Sequence, residues 1–92
     1  MIEADKFPFC SELAVLETTL YVVAPVGGDP TQVRIEALRN LHDGHYTAHL
    51  YRLEETVSTW ITWVDFPSVR ANSADAAIAS ALSFLSERCP RR

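Results

Sequence analysis

The chain has 92 residues, 48% of them hydrophobic and 22% charged. That is enough for one domain with a modest core, and too apolar for a disordered segment. Twelve Asp and Glu against eight Lys and Arg give a net charge of −4, and Lys6 is the single lysine. Gripping a polyphosphate backbone needs a cationic surplus, so the balance counts against nucleic acid as the main partner.

Residues 1–10 read as a short leader in which Phe7 and Phe9 flank Pro8. It is acidic and has no apolar run, so no signal peptide is expected. No stretch of the chain approaches the ~18–20 apolar residues of a membrane span. Cys10 and Cys89 form neither a disulfide framework nor a zinc spacing. A cytoplasmic protein with reduced thiols, no metal and no cofactor is the expectation.

From Ser11 to Tyr21 the spacing of Phe9, Leu13, Leu16, Leu20 and Val23 predicts a helix, capped by Ser11 with Glu12 at its positive end. The β-branched and aromatic run Thr18-Thr19-Leu20-Tyr21-Val22-Val23 pulls toward strand instead. Pro25, Gly27, Gly28, Asp29 and Pro30 predict a connecting loop. It lacks the Gly-Lys-Ser/Thr ending of a phosphate loop.

A first strand is predicted from Gln32 to Leu41, with Val33, Ile35 and Ala37 facing one way and Arg34 and Glu36 the other. His42-Asp43-Gly44 makes a tight turn. The second strand, His45 to Leu53, sets Tyr46, Ala48 and Leu50 opposite His45, Thr47, His49 and Tyr51. A third strand, Ser58 to Phe66, carries Trp60, Val64 and Phe66 alternating with Ile61 and Trp63. Large apolar groups on both faces imply a central strand or one lying in an interface. Pro67 ends it.

A helix then starts at Asn72 or Ser73, with Asp75 in its first turn and Pro90 beyond its end. Ile78, Leu82, Leu85 and Cys89 form the predicted buried stripe, widened by Ala74, Ala77 and Ala81. The fold class expected is therefore α+β: a three-stranded antiparallel meander with a C-terminal amphipathic helix on one face and an N-terminal helix beside it (α-β-β-β-α). Residues 1–92 form one domain in this reading.

Each candidate for chemistry has a plainer structural explanation. His45 and His49 sit four strand residues apart, ~13 Å, too far to share an ion. Only His42, His45 and Asp43 could meet at one site, and only if the turn folds back. Glu54-Glu55 reads as a polar strand end. Asp65 beside Trp63 could act as an acid or base, though a carboxylate before a turn usually caps it. Cys10 has no triad partner in order, and no Gly-x-Ser-x-Gly elbow exists. No catalytic residue is assigned. Tyr51, Trp60 and Trp63 are the candidate interface residues, for a protein partner or a homodimer, because aromatics dominate binding hot spots. A nucleic-acid reading would need Arg34, Arg39, Arg52 and Arg70 gathered on one face.

Two resemblances rest on short stretches. The predicted element order, with GHYTAHLYRLEE and ADAAIASALSFL, resembles a double-stranded-RNA-binding domain, which would imply that fold. Where such domains place phosphate-gripping lysines at the last helix, this chain has Asn72-Ser73-Ala74-Asp75, so the resemblance does not extend to RNA binding. Trp63-Val64-Asp65-Phe66-Pro67 leading to Ala76-Ala77-Ile78-Ala79 is similar to the strand-to-helix passage of HicB antitoxins and covers about a quarter of the chain. Ser68 replaces that family's glycine, the link is shorter, and no DNA-binding tail follows. Neither resemblance transfers a site residue.

Overall fold

The computed structural model describes residues 3–67 and 69–90. After a 3-10 turn, Ala4–Lys6, come four strands and a helix: β1 (Ala14–Val26), β2 (Asp29–Asn40), β3 (Tyr46–Glu54), β4 (Thr59–Thr62) and α1 (Ala74–Ser86). The strands form one antiparallel sheet in the order β1-β2-β3-β4. The class is α+β, as expected, but among the described residues there are four strands rather than three, and the predicted Ser11–Tyr21 helix is absent.

The largest correction concerns Ser11–Tyr21. Residues 14–26 are a strand, paired with β2 along its whole length apart from one bulge between Leu16 and Thr18. The β-branched run prevails because a ready partner lies one turn away. Val26 pairs with Asp29 across Gly27-Gly28, whose φ angles of 64° and 95° suit a two-residue hairpin turn that side chains resist. The expected loop therefore shrinks to two residues, and Pro25 and Pro30 become a cross-strand pair. A two-residue turn makes Val26/Asp29 a hydrogen-bonded pair. Alternation then puts the two prolines at a non-hydrogen-bonded position, where a missing N–H costs no ladder bond.

The β2–β3 hairpin agrees with its sequence pattern. Gly44 has φ 79°, and the Asn40 side-chain oxygen accepts the His42 and Asp43 N–H groups. Val33, Ile35 and Ala37 of β2 and Ala48 and Leu50 of β3 point to one side and are buried. The third predicted strand is much shorter than Ser58–Phe66. It is a four-residue edge strand, entered through Ser58 at φ 52°. It is not central, so its two faces meet different surroundings.

Helix α1 begins where expected. Ser73 is the N-cap, its Oγ accepting the Ala76 N–H at 3.1 Å, and Asp75 stands in the first turn. At the far end Arg88 donates to the Phe84 carbonyl and lies over the Phe84 ring. The buried stripe differs from the expected one: Ala77, Ala81 and Leu85 meet the sheet, while Leu82 is 39% exposed. The small side chains win the central positions because they let the helix axis come close to the sheet, which buries more of Ile35 and Leu50 than a leucine at the centre would allow.

Candidate functional site

One helix covers one face of this sheet and leaves the other open. Register identifies the residues on the open face. Tyr21 of β1 pairs with Arg34, Arg34 with Tyr51, and Tyr51 with Thr62, so one row crosses all four strands. In the adjoining row Thr19 pairs with Glu36, and Glu36 with His49.

The row is built around Arg34. Its guanidinium carbon stands 4.4 Å from the Tyr51 ring centre and 5.0 Å from that of Trp60. Cation–π attraction of this kind strengthens as water is excluded. Trp60 also meets Tyr21, with ring centres 6.0 Å apart. The Arg34 Nε lies 3.6 Å from a Glu36 carboxylate oxygen, an ion pair longer than a hydrogen bond, so this buried N–H has no hydrogen-bond acceptor. Burial, followed by the negative charge of Glu36, pushes the Tyr51 phenol above its ordinary pKa. The phenol therefore keeps its proton across the physiological range. Tyr21 and Val23 remain about two-thirds exposed beside this cluster.

The three candidate interface residues are divided between the faces. Tyr51 and Trp60 belong to the open face. Trp63, one residue beyond β4, turns to the helix side and packs edge-on against Phe84. Two members of the cluster, Tyr21 and Arg34, were not among the candidates. Tyr21 was hidden by the expected helix. Had Gly27-Gly28 been read as a hairpin turn, counting back from it would have set Tyr21 opposite Arg34.

The remaining candidates are dispersed. Arg34 pairs with Glu36, Arg39 with Glu17, Arg52 with Glu54 and Arg70 with Asp43. Strand parity puts Arg39 and Arg52 on the face opposite Arg34, so the four gather no common basic surface. Asp65 is exposed, and the carboxylate beside a histidine is Asp43. The turn does not bring His42, Asp43 and His45 to one point: Asp43 bonds the His45 ring and Arg70, while His42 Nε2 bonds the Cys10 carbonyl. Among the described residues no three His, Cys, Asp or Glu side chains are arranged to hold a metal. A depression of about 180 Å³ lies beside the turn, lined by Glu12, Asn40, His45, Thr47 and His49 among others. No described helix is long and apolar enough to cross a membrane.

Asp43 is held well below the usual carboxylate pKa, first by the His45 backbone N–H, then by the His45 ring and by Arg70. A lowered folded-state pKa stabilises the fold fully above the unfolded value of about 4 and loses that stabilisation as the pH falls below it. Asp43→Asn should therefore lower the melting temperature at neutral pH, with the two curves converging in strong acid. Melts recorded across the acid range test this. A gap that stays constant with pH would mean that the carboxylate charge plays no part.

Searches of protein-family models, of curated proteins and of solved structures found no match to this chain.

Proposed function

We propose that this chain is a small non-enzymatic protein-interaction module, cytoplasmic and regulatory in kind, which binds its partner through the open face of the sheet. The observation that carries this reading is the Tyr21–Arg34–Tyr51–Trp60 cluster. Tryptophan, tyrosine and arginine are the residues that dominate protein-binding energy, and here they sit together at the centre of an uncovered surface. Arg34 is already partly desolvated beneath two rings, so a partner covering the cluster meets a side chain that has given up much of its water and much of its freedom. That lowers the cost of ordering on association. The paired and divided arginines favour a protein partner over nucleic acid, because each positive charge is already offset by a neighbouring carboxylate.

Affinity co-purification of the tagged chain from its source cells, with and without nuclease, tests the proposal against the Trp60→Ala variant. The expected result is a stoichiometric protein that survives nuclease and is retained at least about tenfold less by Trp60→Ala, the loss of a hot-spot residue. Release of the bound material by nuclease would favour nucleic-acid binding instead. A partner held equally by the variant would place the contact elsewhere.

A further inference from the structure

We infer that two copies of this chain associate through the outer edge of β1, antiparallel about a two-fold axis near Tyr21, to form a continuous eight-stranded sheet with both helices on one side. This contact is made by the backbone edge of β1; Tyr21 belongs to both it and the open-face cluster, but the hydrogen bonds inferred here do not use the cluster's side chains.

The sheet has two edges, and they differ. At the β4 edge the strand is four residues long, and further along β3 the Tyr46–Ala71 bridge covers the same side. At the other edge β1 runs for 13 residues with a partner on one side only. The hydrogen-bonded pairs counted back from the Gly27-Gly28 turn are Ala24/Thr31, Val22/Val33, Leu20/Ile35 and Thr18/Ala37. The backbone N–H and C=O groups of Thr19, Tyr21 and Val23 therefore point outward, away from β2.

Sheet edges are ordinarily protected by charges, prolines or bulges. In β1 these devices stand only at the ends: Glu17 and the bulge on one side of the segment, Pro25 on the other. From Thr18 to Ala24 the strand carries no charge at all. A chain of net charge −4 thus presents one neutral, regular and strand-favouring edge.

The helix layer points the same way. Phe84 leans toward Trp63 and Phe66, which follow β4. At about 100° per residue, Ile78 and Leu82 fall on the opposite flank of the buried stripe, above the β1 edge. Leu82 and Leu20, 39% and 37% exposed, are the apolar residues left open there. The apolar sector of α1 is therefore wider than the sheet beneath it, and a strand added beyond β1 would extend the sheet under that flank.

A second copy fits this edge on grounds of symmetry and charge. With the axis at Tyr21, each Tyr21 opposes the partner's Tyr21, Thr19 opposes the partner's Val23, and Leu20 opposes the partner's Val22. The three outward-facing residues of each strand would then close about six backbone hydrogen bonds. No like charges meet across the seam. Leu20 and Leu82 of both copies would line one shared groove on the helix side.

Light scattering of the full chain during gel filtration, from low to high micromolar concentration, tests the inference. The expected mass is twice 10.3 kDa at the upper end. Thr19→Pro removes an outward N–H that faces away from β2 and makes no bond to a described residue, and Val23→Lys adds the charge that protected edges carry. Each should weaken dimerisation by about tenfold or more while circular dichroism and melting show a folded domain. Val23→Lys, at an exposed position, serves if the proline disturbs the strand. Trp60→Ala should leave the dimer intact. A wild-type monomer at high micromolar concentration would overturn the inference. So would a dimer that persists in both folded β1 variants, or one lost only in Trp60→Ala.

Discussion

Ile35→Ala is expected to destabilise the protein by about 2–5 kcal/mol, the range for truncating a fully enclosed isoleucine. Ile35 is 0% exposed and sits mid-strand in β2, between Leu20 on β1 and Leu50 on β3. Truncation removes three carbons from water-free surroundings and leaves a space that its neighbours, fixed on three paired strands under a helix, cannot close. Domains of this size have only about 5–15 kcal/mol in total. The variant should therefore unfold at a much lower urea concentration, or fail to fold at physiological temperature. Val57→Ala, in the exposed turn before β4, should stay within about 0.5 kcal/mol of the wild type. Equal urea midpoints for the two variants would contradict the assignment of the core to the helix side of the sheet.

Ala81→Leu should cost about 1–3 kcal/mol, because it overfills the closest part of the helix–sheet contact. Ala81 is 0% exposed, and with Ala77 it sets the distance between the two layers. Leucine there must either push α1 outward or adopt a strained rotamer. Ala79→Leu, two residues away and exposed, changes nothing in the packing and should be close to neutral. Comparing the two melts separates overpacking from helix propensity, since both variants place leucine at mid-helix. A gain in stability for Ala81→Leu would reveal unfilled space between the layers.

The second prediction turns on which helix residues face the sheet, and there the sequence pattern was only half informative. Apolar spacing marked the Ile78–Leu82–Leu85–Cys89 stripe and named Ala77 and Ala81 as its margin. In the fold the margin is the centre, and Leu82 stands at the rim. Hydrophobicity scales rank leucine above alanine at every position, so periodicity alone weights the stripe toward its largest members. How close two backbones can approach is a property of both layers, and it rewards the smallest.

The open-face cluster shows the same division. Tyr51 and Trp60 were evident as aromatics on strands of known parity; Trp63, named with them as an interface candidate, alternates with Trp60 on the predicted Ser58–Phe66 strand and so stands on its other face. The strand ends at Thr62, and the chain then turns Trp63 toward Phe84. Arg34 was visible as a polar-face residue, yet its place between two rings depends on β3 and β4 arriving from later in the chain.

The sequence by itself determined the elements whose energetics are local. The Asn40–His45 turn needs Gly44 and the Asn40 oxygen, the strands beside it need simple alternation, and α1 needs Ser73, Asp75 and a run of alanines. All of these act within a few residues of one another. Tertiary structure alone decided that residues 14–26 are a strand and that β4 is short and at an edge. The stretch from Leu13 to Val23 satisfies helical spacing and strand propensity together. Pairing with β2 along a 12-residue partner supplies what neither local preference contains: a ladder of backbone hydrogen bonds, and burial of Val22 and Val26 against the core.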